Sequence, residues 1–122
     1  MIIGIGLYQG FTALDAIGPC EVLTYLPSYL PDAKVVICAA SYGAQPTEQR
    51  VVTSGRIVTG AGVSAGIDLA LTLVDKIAEA EVAQAIQLAI EYDPHPPFDA
   101  GAPSKAPESV YDMATAALGG KD

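Results

Sequence analysis

Two short stretches near the amino terminus consist almost entirely of apolar residues. Residues 2–7 and 34–38 are both rich in β-branched side chains, and glycine or turn-forming residues bound them. Continuous apolar runs of this length are typical of strands buried on both faces of a parallel sheet. We therefore predict two parallel strands at these positions.

A helical pattern lies between the two strands. The sequence from Thr12 to Asp15 has the form of a capping box, and Pro19 is favourable as the first residue of a helix over residues 20–26. A strand, a helix and a second parallel strand form a crossover unit, which is almost always right-handed. Residues 1–38 are therefore predicted to be a β-α-β unit.

The middle of the chain predicts a junction followed by a hairpin. Residues 39–47 contain Gly43 and Pro46 and indicate a turn-rich junction, after which residues 50–53 and 56–59 have the composition of strands. Ser54 and Gly55 would connect them. An antiparallel hairpin is the expected structure.

The carboxyl-terminal half predicts helices separated by a proline-rich segment. A helix over residues 65–80 is apolar nearly all round and should be buried, and a second helix over residues 82–92 carries a narrower apolar stripe that should pack against it. Residues 93–103 include four prolines and exclude regular structure, and residues 108–118 predict a final helix.

Length and charge narrow the classes of function. A chain of 122 residues with 51% apolar residues is expected to form a single domain, residues 1–122. Its 14 acidic and 6 basic residues give a net charge of -8, which disfavours nucleic acids and anionic membranes as partners. The chain has no secretory leader pattern and no apolar run long enough to span a bilayer, so we expect a cytoplasmic protein.

The residues that bind metals or form disulfides are few. Cys20 and Cys38 do not form a disulfide framework or a metal-binding knuckle, and free thiols are expected. His95 is the only histidine, with no second histidine or cysteine nearby in sequence. We predict no metal site and no cofactor.

Three stretches together resemble the isonitrile hydratases of the ThiJ/PfpI superfamily. They are residues 14–23 (LDAIGPCEVL), residues 42–68 with the sequence GAGVSAGID at their end, and residues 87–98 (QLAIEYDPHPPF). The resemblance implies a flavodoxin-like α/β three-layer sandwich with a mostly parallel sheet. It covers nearly the whole chain.

The chain departs from this family in its middle. Members of the family carry further elements before the segment that starts at Tyr42, including a strand-to-helix elbow that presents a nucleophilic cysteine. Here Cys38 and Tyr42 are almost adjacent, so we predict a shortened domain without the elbow. Loss of a central strand would expose sheet edges, and association would cover them, so a homodimer is expected.

The resemblance also implies site residues, each with a structural alternative. Asp15 matches an aspartate near the family's nucleophile, although it could simply cap a helix. Glu21 matches a family position after Gly-Pro and could instead be a favourable first-turn carboxylate. Cys38 ends a strand and could replace the lost nucleophile, or it could be a small core residue, which is the role expected for Cys20.

A glycine-rich turn supplies two further candidate binding residues, Gly62 and Ser64. The spacing Gly60-x-Gly62 superficially fits a dinucleotide loop, but no acidic residue ends a following strand. A tight turn into a helix capped by Ser64 agrees better with the sequence.

Two functions remain open on the sequence. The favoured one is a dimeric small-molecule-binding or structural module that has lost the hydratase chemistry of its relatives. The alternative is a minimal hydratase or lyase that acts on isonitriles or similar small electrophiles, with Cys38 as nucleophile and Asp15 as base.

Overall fold

The fold is described from a computed structural model of the chain, over residues 1–7, 12–39 and 49–118. These residues fall into two compact units, Met1–Tyr92 and Asp93–Asp122. The first unit contains strands and helices, as the predicted α/β class requires. The prediction of one domain over the whole chain remains a prediction.

The two predicted amino-terminal strands are present and parallel. Strand β1 is Ile2–Leu7 and strand β2 is Lys34–Ala39, with Ile3 opposite Val35 and Ile5 opposite Ile37. Ile3, Ile5 and Val35 pack against the core of the unit. The predicted parallel pairing is therefore confirmed, and β2 is one residue longer than expected.

The other face of this strand pair is exposed and carries Ile2 and Val36 together with Lys34. Ile2 lies opposite Lys34 and Gly4 lies opposite Val36, on the side away from the core. Ile2 is 69% exposed and Val36 is 44% exposed. Both side chains are therefore accessible to solvent.

The first helix begins earlier than predicted. Helix α1 is Ala13–Thr24, with Thr12 at its N-cap, and Pro19 lies inside it rather than at its start. The prediction of a start at Pro19 was wrong. A proline in a helix interior lacks one backbone hydrogen bond, and here its ring is buried at the contact with another helix, which offsets part of that cost. A short 3₁₀ helix, Leu26–Ser28, follows α1.

The predicted hairpin is confirmed with a shift of one residue. Strand β3 is Val51–Ser54 and strand β4 is Ile57–Gly60, paired antiparallel with Ser54 opposite Ile57. Gly55 has a φ of 58°, a left-handed conformation that glycine adopts without steric cost. The two-residue turn therefore comprises residues 55 and 56.

The next two helices are separate, as predicted, with an earlier break. Helix α2 is Ala65–Ala78 and helix α3 is Ala80–Ala89. Glu79 between them has φ 83° and ψ 156°, which no helical residue adopts. This backbone conformation ends α2 two residues before the predicted boundary and lets α3 turn back.

The core of the first unit lies among these helices. Its largest fully buried side chains are Val22, Leu23, Leu26, Val74 and Ile86. They come from α1, the 3₁₀ helix, α2 and α3, and each contributes about 1.5–3 kcal/mol of burial free energy. The core therefore holds α1, which carries Asp15 and Glu21, against α2 and α3.

Helices α1 and α2 approach each other closely at glycines. A Cβ atom on Gly66 would lie 2.9 Å from Cδ of Pro19, and one on Gly18 would lie 3.3 Å from Cγ1 of Ile67. These distances leave no room for a larger residue at position 66 without movement. The contact fixes how α1 packs on α2.

The second unit contains the predicted final helix. Helix α4 is Glu108–Leu118, with the predicted bounds. A shallow cavity of about 230 Å³ lies beside it, lined by Pro103, Val110, Tyr111 and small residues. Pockets for drug-sized ligands are usually roughly 300–1,000 Å³, so this cavity is small for such a ligand.

Candidate functional site

Asp15 lies in the first turn of α1, just after the carboxyl end of β1. One oxygen of its carboxylate, Oδ2, accepts a hydrogen bond of 2.8 Å from the backbone N–H of Thr12. This contact satisfies a donor that the start of a helix otherwise leaves unpaired. Asp15 therefore has the structural role that the sequence offered as the alternative to catalysis.

The second predicted catalytic residue is Cys38. Its backbone belongs to β2 and pairs with Gly6 of β1, so it lies near the carboxyl end of the parallel pair. Its side chain lies outside the described part of the structure. The predicted pairing of this thiol with the Asp15 carboxylate therefore stays a prediction.

Cys20 and Glu21 are neighbours in α1 with different surroundings. Cys20 is a free, half-buried thiol, and its backbone oxygen accepts a hydrogen bond of 2.7 Å from Oγ1 of Thr24. Glu21 is exposed and lies in the second half of the helix, beyond the first turn. A helix-dipole role for Glu21, which needs the first turn, is therefore not supported.

Gly62 and Ser64 form the turn between β4 and α2. Gly62 has a φ of 73°, and an added Cβ would meet no atom within 4 Å, so the turn needs glycine for its backbone angle. Ser64 occupies the N-cap position of α2 but makes no capping hydrogen bond through its side chain. Its backbone oxygen instead accepts a hydrogen bond of 3.2 Å from Arg50.

Arg50, Asp68 and Tyr92 form a polar network that sequence reasoning did not identify. Arg50 Nε donates to Oδ2 of Asp68, and the phenol of Tyr92 donates to Oδ1 of the same carboxylate at 2.9 Å. Arg50 directly precedes β3, Asp68 lies in the first turn of α2, and Tyr92 follows α3. One carboxylate thus joins three parts of the first unit.

The pattern around Asp68 held a signal for this network. Asp68 is an acidic residue in an otherwise apolar stretch from Ile67 to Leu71 of a helix expected to be buried. A carboxylate on such a helix is favourable only with a partner, since removing a charge from water is costly. The sequence could not identify the partners, because Arg50 and Tyr92 are distant along the chain.

The network changes the acid–base properties of its members. Burial raises the pKa of Tyr92, and the hydrogen bond to Asp68 raises it further. The pKa of Arg50 is also raised, mainly by its hydrogen bond to Asp68. At neutral pH Tyr92 is therefore a neutral donor and Arg50 a cation, as their contacts with a carboxylate require.

The residues described in the structure include no group of three or more histidine, cysteine, aspartate or glutamate side chains placed to hold a metal ion. His95 is exposed, and its Nδ1 lies 2.9 Å from the backbone oxygen of Asp93. None of the helices found among those residues is long and apolar enough to cross a bilayer.

Comparison with known proteins supports the resemblance noted in the sequence. No family model matches the chain. An isonitrile hydratase from Pseudomonas putida is 50% identical over 72 residues, 59% of this chain and 32% of the relative. A crystal structure of a ThiJ/PfpI family protein from Pseudomonas syringae superposes with a TM-score of 0.78, covering 97% of this chain and 86% of that one at 21% identity. The chain has the ThiJ/PfpI fold.

The two comparisons support different statements about the ThiJ/PfpI-like chain. The structural neighbour establishes a flavodoxin-like α/β fold, and the curated relative confirms the resemblance to isonitrile hydratases. The matched stretch spans about a third of the length of that relative. A match over this share of the relative does not establish that the chain has the relative's activity.

Proposed function

We propose that this chain is a small-molecule-binding or structural module related to isonitrile hydratases, and that it lacks cysteine-dependent hydratase chemistry. The observation that carries this proposal is the position of Asp15. Its carboxylate accepts the Thr12 backbone N–H at the start of α1. The contact holds this carboxylate at the helix start, and a general base would in addition need its remaining lone pairs within hydrogen-bond reach of the proton it removes.

The positions of the cysteines also support the proposal. A nucleophile elbow presents its residue at the turn between a strand and a helix. Cys20 lies inside α1 and Cys38 lies within β2, so neither occupies the turn before α1 or the turn before α2. Activation of either thiol would need a nearby base or cation to stabilise the thiolate.

An assay for hydration of an isonitrile tests the proposal directly. Purified protein is incubated with a small alkyl isonitrile, and the N-substituted formamide is measured by chromatography. We expect no formamide above the level of the buffer control. Turnover that persists in Cys20→Ser and disappears in Cys38→Ser would contradict the proposal.

A minimal hydratase is the second candidate function. It is favoured by the 50% identity to an isonitrile hydratase and by the position of Cys38 near the carboxyl end of β2, where ligands collect in α/β folds. In this scheme the Cys38 thiol adds to the isonitrile carbon and its proton is transferred to that carbon, which gives a thioimidate. Water activated by Asp15 then adds to the same carbon, and cleavage of the C–S bond releases the thiol and the N-substituted formamide. A crystal structure with the Cys38 Sγ atom beyond the reach of one bridging water from the Asp15 carboxylate would exclude it.

We further propose that the module acts as a homodimer in the cytoplasm and binds a small molecule without a metal or cofactor. The exposed side chains Ile2 and Val36 on one face of β1 and β2 support association, because a second copy would remove them from water. Gly62 and Ser64 at the start of α2 are proposed as binding residues, together with Glu21. The acidic charge of -8 agrees with a partner that is neither nucleic acid nor membrane.

A further inference from the structure

We propose that Asp68 mechanically couples the β3–β4 hairpin to the carboxyl end of α3, so that weakening one contact of its carboxylate loosens the other. The proposal concerns Arg50, Asp68 and Tyr92, which the proposed function does not use. It is independent of any ligand.

Each partner of Asp68 is fixed to its own element by the backbone. The backbone oxygen of Arg50 accepts a hydrogen bond of 2.8 Å from Ala61, which closes the open end of the hairpin. The backbone N–H of Tyr92 donates to the backbone oxygen of Gln87 at 3.0 Å. The side-chain amide of Gln87 donates in turn to the backbone oxygen of Tyr92 at 3.1 Å. Movement of either side chain therefore involves its element.

Asp68 itself is held by α2. It lies in the first turn of the helix, and its backbone oxygen accepts a hydrogen bond of 2.7 Å from Thr72. Its side chain is 30% exposed, against 51% for Arg50. The contact lies partly out of water, where charge-assisted hydrogen bonds are stronger than at a fully exposed surface.

The coupling arises because the two donors use different oxygens of one planar group. The last torsion of an aspartate side chain is broad, so a carboxylate with a single donor can rotate over a wide range. Two donors on Oδ1 and Oδ2 restrict that rotation together. When one donor is lost, the remaining hydrogen bond samples poorer geometry and weakens.

The network also includes a residue predicted to bind ligand. Arg50 Nη2 donates to the backbone oxygen of Ser64 at 3.2 Å, at the start of α2. The hydrogen bonds of Arg50 and Asp68 therefore connect the hairpin, the turn before α2 and the end of α3. A change at Tyr92 is expected to reach the hairpin through Asp68.

Native-state amide hydrogen exchange tests the coupling. The variants are Tyr92→Phe, Arg50→Gln and Asp68→Asn, and the reporters are the amides of Ala61 in the hairpin and Tyr92 after α3. We expect Tyr92→Phe to speed exchange at Ala61, and Arg50→Gln to speed exchange at Tyr92, each by roughly three- to tenfold. Asp68→Asn should affect both reporters, while the Lys34 amide at the start of β2 stays unchanged.

Matched variants separate coupling from general loosening. Arg56→Gln removes a cation from the same hairpin, Asp75→Asn removes an exposed carboxylate from the same helix, and Tyr111→Phe removes an exposed phenol. These variants should leave the rates of amide exchange at Ala61 and Tyr92 as they are in the unmodified protein. The proposal is overturned if each test variant affects only the reporter of its own element, or acts no differently from its matched variant. Tyr92→Phe removes one oxygen atom and decides the question even if Asp68→Asn does not fold.

Discussion

Two single residues, Tyr92 and Glu79, have properties that the structure reveals and the sequence does not. Tyr92 is a half-buried phenol whose pKa is raised by burial and by Asp68, and Glu79 is a non-glycine residue with φ 83°. The first depends on contacts between distant residues, and the second on the way two helices pack. Neither is encoded in the local pattern of the sequence.

The raised pKa of Tyr92 makes stability depend on alkaline pH. Because the folded state prefers the neutral phenol, its contribution is complete below the unfolded pKa of about 10 and is lost as the pH rises through the higher folded pKa. Urea unfolding from pH 9 to pH 11 should show the free energy of unfolding falling less steeply in Tyr92→Phe than in the unmodified protein. Tyr111→Phe should keep the original slope, and equal slopes in all three proteins would contradict this prediction.

Glu79 is expected to store backbone strain that glycine would relieve. Its φ of 83° and ψ of 156° lie in a region that costs about 1–3 kcal/mol for residues with a Cβ atom. Glu79→Gly should therefore raise the free energy of unfolding by about 1 kcal/mol after the entropy that glycine adds to the unfolded chain. Glu81→Gly, inside α3, should lower it by roughly 0.5–1 kcal/mol. Destabilisation by both changes would argue against strain at Glu79.

At the scale of elements, the sequence predicted what depends on local periodicity. Strand β1, the pairing of β1 with β2, the hairpin and α4 all agree with their apolar patterns and turn residues. The start of α1 was wrong because the rule for proline at a helix start outweighed the capping box at Thr12. Only the contact with Gly66 shows why Pro19 is accepted inside the helix.

The candidate site was predictable to a smaller extent. Asp15 and Ser64 were correctly placed at helix starts, since helix starts have characteristic residues. The hydrogen bonds of Ser64 and the network around Asp68 were not predicted, because they join residues 14, 18 and 24 positions apart. Contacts of this kind depend on packing and leave only an isolated charge in the sequence pattern.

The close contact between α1 and α2 predicts that Gly66 is sensitive to enlargement. A Cβ atom 2.9 Å from Cδ of Pro19 meets a ring bonded to the backbone, so the helices must move apart. Gly66→Ala should lower the free energy of unfolding by about 1–3 kcal/mol in urea titrations. Gly101→Ala, which meets nothing within 4 Å, should change it by less than about 0.5 kcal/mol. Similar values for both variants would show that the helices adjust freely.

At the scale of the whole molecule, the proposed dimer depends on which apolar side chains are exposed at the surface. Val36 on the β1–β2 face and Val110 on α4 are 44% and 45% exposed. A single exposed valine is ordinary, but Val36 shares the exposed face of the β1–β2 pair with Ile2, which lies diagonally from it. A second copy on this face would cover both side chains.

Sedimentation tests whether the protein is a dimer and whether Val36 lies in the dimer interface. We expect a species of twice the 12.5 kDa chain mass, more populated at moderate salt because two chains of charge -8 repel each other when screening is weak. Val36→Lys should shift the population to monomer, whereas Val110→Lys should not. A monomer at every concentration would contradict the proposal, and a dimer indifferent to Val36→Lys would place the interface elsewhere.

The break at Glu79 determines how far helices α2 and α3 extend within the first unit. A single straight helix through residues 65–89 would be about 37 Å long and would carry its far end well beyond the other elements. Ile86 would then lose its place beside the buried side chains of α1. One residue with a non-helical backbone thus replaces a single long helix with two short helices that pack against each other, α2 and α3.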